Sequence, residues 1–359
     1  MPERKHDDGH SHGLSPLVPL DLSRVNSVGD LVTAMKDTAF GARQVGEAAE
    51  ILHTMGRDPD CLVVCSLSGA MTVAKMGLVL CEMIEHGLVD VIVSTGALIS
   101  HGFVEAMGDL HFKYDPSMND QALFEVGYAR VYDTIELEKN LLDVENVIKE
   151  VMNELPGETV LCSREVCERL GKHLAEKTSG RGILSTAFRK GVPVYIPAFT
   201  DSEVGMDFAI LNEERKKAGL SPFQFDPFLD LEDFTERILK AKTAGVFTVG
   251  GGVPRNWAQQ IGPYIEALAR IGVVESGAFF RYKYGVRICP EPVHWGGLSG
   301  CTYREGVSWG KFDPQESGGR FAEVYSDATI AWPLIVKAVL ERIEKESSPA
   351  PLAKGGRGD

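Results

Sequence analysis

The chain predicts an α/β fold, a mostly parallel sheet with helices on both faces. Short apolar runs recur with helical stretches between them, the pattern of strands buried on both sides. Several of these runs end in glycine, serine, threonine or aspartate, the residues that punctuate strands. In order, Cys61–Cys65 is a buried strand, Ser66-Leu67-Ser68-Gly69 a turn and Ala70–His86 a helix. Val89–Val93 is the next strand, closed by Ser94-Thr95-Gly96. Glu136–Leu155 reads as a long amphipathic helix. Val192–Ile196 is a strand that ends at Pro197-Ala198-Phe199-Thr200-Asp201. Val246–Val249 ends at Gly250-Gly251-Gly252 and leads into a helix from about Pro254 to Ile271. Proline suits that first turn, where its missing N–H leaves no bond unmade. Asp327–Lys345 is a second long amphipathic helix, while 115–135 and 203–233 read as excursions from the sheet. One domain is expected over residues 16–346, with disordered tails at 1–15 and 347–359.

The chain has 359 residues, 44% hydrophobic and 25% charged, an ordinary globular composition. Its net charge of −14 disfavours nucleic acid and anionic membranes and suits polycations such as polyamines. Seven cysteines show no zinc spacing, and no metal site is expected; the odd count points to a reducing cytoplasm. His6, His10 and His12 lie in the polar leader, which lacks the apolar core of a secretion signal. The longest apolar run, Met71–Met83, contains Lys75 and Glu82, so no membrane span is expected. Asp226, Asp230, Glu232 and Asp233 read as a helix start with a solvated face. His111 and Tyr114 lie on a loop with no spacing that ties them to a site.

Chemistry concentrates in Glu305-Gly306-Val307-Ser308-Trp309-Gly310-Lys311. A lysine amine forms imines with carbonyl carbons once desolvation lowers its pKa. Trp309 is expected to supply the desolvating wall and Glu305 to hold a cationic substrate. On spacing alone, a surface lysine beside a buried tryptophan is the better account. The strand ends at Ser68-Gly69, Thr95-Gly96, Asp201 and Gly250–Gly252 together suggest a nucleotide crevice, although none is a G-x-G-x-x-G fingerprint. Asp201 has the acceptors for a ribose or an amide.

Trp295-Gly296-Gly297-Leu298-Ser299-Gly300, Val324-Tyr325-Ser326-Asp327-Ala328, Thr200-Asp201, Gly250–Gly252 and the Lys311 motif together resemble the deoxyhypusine synthase family, nearest its bacterial deoxyhypusine synthase-like branch. The likeness runs from about Leu20 to Ile343. It implies a Rossmann-like fold that binds NAD, with contacts at Ser68, Gly69, Thr95, Gly96, Ala97, Asp201, Gly251, Asp327 and Ala328. It implies that Lys311 carries an aminobutyl group as an imine and that Glu305 and Trp309 grip the polyamine. Other substrate positions implied are His101, Asn256, Asp207, Glu291 and His294, the last a candidate acid or base. The chain departs from the spermidine-using pattern. Asn256 replaces a histidine, Leu298 and Met206 replace aspartates, with Asp207 adjacent to Met206, and His101 replaces a glutamate. The implied activity is therefore small-molecule aminobutyl transfer of the homospermidine synthase kind. Deoxyhypusine formation on a protein lysine, and a non-catalytic polyamine- or nucleotide-binding homologue, remain the alternatives. The family assembly implied is a homotetramer of tight dimers with sites at the dimer interface.

Overall fold

The computed structural model describes residues 7–347. Its main sheet has six strands: β1 (Cys61–Leu67), β2 (Val91–Val93), β3 (Val194–Tyr195), β4 (Thr243–Val249), β5 (Tyr284–Ile288) and β6 (Arg320–Val324). All pairings are parallel and the order is β6-β5-β4-β1-β2-β3. The order reverses between β1 and β4, so their carboxyl ends open a crevice there. The helices that frame it are α1 (Phe40–Arg57), α2 (Gly96–Met107), α3 (Glu138–Asn153), α4 (Glu203–Lys217), α5 (Gly252–Arg270), α6 (Tyr303–Ser308) and α7 (Ala328–Ser347).

Side chains alternate across a strand, and each face of β1 has its own core. Val63, Cys65 and Leu67 pack into the larger cluster with Leu52 of α1 and Trp332 and Ile335 of α7. Val64 packs into the other, with Ala258, Ile261 and Ile265 of α5. This two-sided burial is why the strands read as continuous apolar runs.

The expected helix over 70–86 is two helices, Ala70–Val73 and Gly77–Glu85. The chain turns at Lys75, which has φ 62°. Met76 N donates to Met71 O at 2.9 Å and Lys75 N to Thr72 O at 3.0 Å, the paired bonds of a Schellman stop. Strands β5 and β6 were not anticipated, because Arg287 and Glu323 interrupt their apolar pattern. Residues 112–137 form a separate antiparallel sheet of Phe112–Lys113, Tyr128–Val131 and Thr134–Leu137. The acidic run does begin a helix, Phe228–Lys240, but its face is not wholly solvated. Asp230 is buried and accepts from Ser163 N and Arg164 N, and Asp233 pairs with Arg237.

The tail expectations fall partly outside the described residues, at 1–6 and 348–359. Among the described residues, His10–His12 forms a 3-10 turn and Ser347 is the last residue of α7. No described helix is long and apolar enough to cross a membrane.

Candidate active site

The loops after the strands meet at the carboxyl edge of the sheet through glycines. A Cβ on Gly250 would collide with Ser68, on Gly69 with Thr95 and Ala97, on Gly96 with Ser202, and on Gly251 with Ser299. Gly250 also has φ 83°, which disfavours any side chain. The glycines therefore let these loops pack against one another at the strand ends, and α2 and α5 begin there at Gly96 and Gly252. Helix starts favour a phosphate-bearing ligand. Ser68, Gly69, Thr95, Gly96, Ala97 and Gly251 share this edge. Asp201 is exposed in the loop after β3, beside Ser202. Asp327 and Ala328 lie beyond β6, at the far side of the sheet. Asp327 caps α7 by accepting from Thr329 N at 2.7 Å.

Beside the crevice is a cleft of about 360 Å³ lined by Asn256, Gln259, Leu298, Glu305, Trp309 and Lys311. Thr302 caps α6 by accepting from Glu305 N at 3.1 Å. The helix then stops in a second Schellman arrangement. Lys311 N donates to Gly306 O, Gly310 N donates to Val307 O, and Gly310 takes φ 69°. Phe312, fully buried, anchors the next residue. Lys311 is thereby held at 8% exposure with its Nζ 3.4 Å from Asn256 Oδ1. Burial pulls its pKa below the ordinary 10.5, and the Arg255 guanidinium acts in the same direction.

Trp309 does not do the burying. It is 66% exposed, and Lys311 Nζ lies 5.9 Å from its ring centroid. The lysine is sheltered by the packed α6–α5 junction, where a Cβ on Gly262 would meet Phe280 O at 2.8 Å and Gly310 O at 3.1 Å. Trp309 forms the rim, where it can cover a methylene chain. Glu305 is exposed on the same rim.

The residues that hold the cleft wall carry no mark in the sequence. Arg255, 1% exposed, donates to Leu298 O at 2.8 Å, Ser299 O at 3.2 Å and Cys301 O at 2.6 Å. Arg287 donates to Ser299 O at 2.6 Å and pairs with Glu323. Gln259 is likewise unmarked. It is buried, and among the described residues its Nε2 has no hydrogen-bond partner. No short-range pattern marks Arg255 or Arg287, because their partners lie 12 to 46 residues away.

Four expected substrate residues do not line the cleft within one chain. Glu291 packs under Gly297, behind the wall, and His294 is exposed with its ring edge-on to Trp295. Asp207 is buried on α4, where burial, then Glu145 and Glu203, raise its pKa to about 7. His101 contacts Glu136 at 3.1 Å. His111 also packs on Glu136, and the three residues are grouped as metal ligands would be, which spacing had not suggested.

The family profile described as deoxyhypusine synthase matches residues 30–339. The chain belongs to the deoxyhypusine synthase family. It is 34% identical over 339 residues to "Probable deoxyhypusine synthase 2" of Methanosarcina acetivorans, covering 94% of this chain and 93% of that one. It is 33% identical over 338 residues to the "Deoxyhypusine synthase-like protein" of Chlorobaculum tepidum, covering 93% and 92%. The fold matches a crystal structure of "a putative deoxyhypusine synthase from Entamoeba histolytica" with a TM-score of 0.59 at 16% identity, over 90% of this chain and 97% of that one. Deoxyhypusine synthases are NAD-dependent aminobutyl transferases that act on polyamine as oligomers, and this chain belongs to that class. The crevice suits the cofactor, since α2 and α5 both begin at the strand ends and helix starts favour a dinucleotide's phosphates.

Proposed function

We propose that the chain moves an aminobutyl-type group between small amines through an imine on Lys311, in the manner of a homospermidine synthase. The observation that carries this reading is a lysine with a depressed pKa at the base of a cleft rimmed by a carboxylate and an indole. NAD, bound across Ser68, Gly69, Thr95, Gly96, Ala97, Asp201, Gly251, Asp327 and Ala328, would take a hydride from the amine-bearing carbon and return it at the end. The neutral Lys311 amine attacks the carbon of the resulting imine. The first amine leaves with the proton, and the lysine imine then passes its carbon to the acceptor amine by the same exchange. Asn256 Oδ1 accepts from Nζ and orients its lone pair. Glu305 holds the distal ammonium, Trp309 covers the methylenes, and exclusion of water protects the imine from hydrolysis.

Leu298, where the family pattern has an aspartate, lowers the negative charge of the cleft, which favours a substrate with fewer ammonium groups than spermidine. Asp207, Glu291 and His294 join the site in this reading only when a second subunit closes it, in a homotetramer, while His101 stays on Glu136. The catalytic unit spans residues 16–346 and works in the cytoplasm.

The test is incubation with NAD and putrescine, spermidine or agmatine, followed by borohydride reduction and peptide mass mapping. An alkyl adduct on Lys311 supports the reading. Absence of an adduct with every amine would sink it and leave a binding protein. The names of the archaeal relatives favour a second reading, transfer to a protein lysine. Radiolabelled spermidine with a purified translation factor tests that directly.

A further inference from the structure

A buried carboxylate outside the Lys311 cleft is built like a metal ligand. Glu136 lies on the strand Thr134–Leu137, and its side chain is 1% exposed. Phe112 pairs with Ile135 and Lys113 with Thr134 in antiparallel register, so His111 comes opposite Glu136. The His111 side chain is also 1% exposed, and its Nε2 is turned onto Glu136 Oε2 without making a hydrogen bond. His101, from the middle of α2, brings its Nδ1 to 3.1 Å from the same oxygen. Asn140 donates to the other oxygen, Glu136 Oε1, at 3.1 Å and also to Leu110 O at 3.2 Å. That bond fixes the carboxylate's rotation and leaves Oε2 to the two imidazoles.

Among the described residues no Arg or Lys touches this carboxylate; it meets the two imidazoles, the Asn140 amide and Leu137 N, which donates to Oε1 at 3.2 Å. A buried carboxylate facing two imidazole nitrogens, with no full positive charge paired to it, is chemically suited to a divalent ion. The two imidazole nitrogens and the carboxylate oxygen all lie within 4.8 Å of one another. Ligand atoms around a tetrahedral zinc are separated by roughly 3.4 Å, so modest side-chain rotation would close the set. Two histidines and one carboxylate are a donor set for zinc, ferrous iron and similar ions, with at least one position left for water or another ligand.

We propose that His101, His111 and Glu136 form a binding site for one divalent transition-metal ion, distinct from the Lys311 cleft. Lys75 is its local competitor. Lys75 Nζ lies 2.7 Å from His111 Nδ1 and 3.6 Å from Glu105. While the ammonium donates to Nδ1, the His111 proton must sit on Nε2, the atom a metal needs. Metal binding moves that proton to Nδ1 and leaves Lys75 to Glu105.

The test uses the full chain, stripped with chelator and titrated with Zn²⁺. Co²⁺ serves as a spectroscopic probe, read by visible absorption, and bound metal is measured by elemental analysis. One ion per chain is expected, with a d–d spectrum of low coordination number. His101→Ala and His111→Ala should each weaken binding at least tenfold with circular dichroism unchanged. Lys75→Met should preserve or tighten it. Because the leader histidines can also hold metal, the His10→Ala/His12→Ala variant must keep the full stoichiometry. No tight ion in the wild-type chain, or binding lost with the leader histidines but kept in His101→Ala and His111→Ala, would overturn the proposal. Borohydride trapping at Lys311 is read separately, so failure of either idea leaves the other standing.

Discussion

A lysine amine attacks carbon only when neutral, so what the fold does to Lys311 is the central residue-scale fact. Removing that amine in Lys311→Ala should cut turnover by roughly a thousandfold or more and abolish borohydride trapping, as loss of a covalent nucleophile does. Asn256→Leu deletes one hydrogen bond to Nζ and should slow turnover about tenfold, in line with ~1.4 kcal/mol. Asp207 supplies a stability test. Its folded pKa of about 7 lies above its ordinary 3.8, because burial, then Glu145 and Glu203, disfavour the charge. Between those values the folded chain holds a proton that the unfolded chain has released. The stability contribution is therefore complete below the lower value and is lost as pH climbs through the upper one. Asp207→Asn should raise the melting temperature at pH 8 by about 1–2 °C relative to wild type, and by less at pH 5. Equal shifts at both pH values would show that Asp207 does not titrate this way.

At the scale of elements, two Schellman stops do the shaping. One, at Lys75, splits an apolar stretch that reads as a single helix. The other, at Gly310, turns Lys311 back towards α5. The wall opposite hangs from Arg255, which spans three carbonyls of the 298–301 segment. Arg255→Met should leave those carbonyls without their buried donor and destabilise the chain by about 2–4 kcal/mol, measurable by denaturant melts. Gly251 tests the crevice. Its φ of −176° suits any residue, so the penalty for Gly251→Ala is steric, a Cβ at 2.5–2.6 Å from Ser299. The expected result is a raised KM for NAD with Lys311 trapping retained at saturating cofactor. Strands β5 and β6 belong to this scale too. Arg287 and Glu323 look like surface charges in sequence, yet they pair across neighbouring strands in the interior.

At the scale of the whole molecule, the sheet order sets the crevice between β1 and β4, with the lysine cleft beside it. The rim carries exposed apolar side chains, Val293, Trp295, Leu298 and Trp309, beside Glu305. Such a patch marks an interaction surface, and a second copy of the chain is the occupant the family assembly implies. Light scattering on the purified protein should give about four times the 39.2 kDa chain mass. Trp295→Glu should shift the population to smaller species and lower kcat along with it. A monomer with full activity would refute the shared-site reading.

Much of this was present in the residue order. Period and punctuation located β1, β2, β3 and β4, the long helices and the glycine-bearing strand ends, because those signals are local and strong. The Glu305–Lys311 segment stood out by residue types within one short helix and turn, but its spacing alone could not tell a buried amine from a surface one. Sequence could not say that Trp309 stands at the rim, or that Arg255, Arg287 and Gln259 shape the wall. It could not say that Asp207 lies buried away from the cleft, or that His101, His111 and Glu136 converge. Those facts depend on partners tens of residues apart, whose meeting is decided by strand order, register and burial. Short-range pattern determines which elements form; only the packed chain determines which side chains lose their water, and the chemistry follows from that loss.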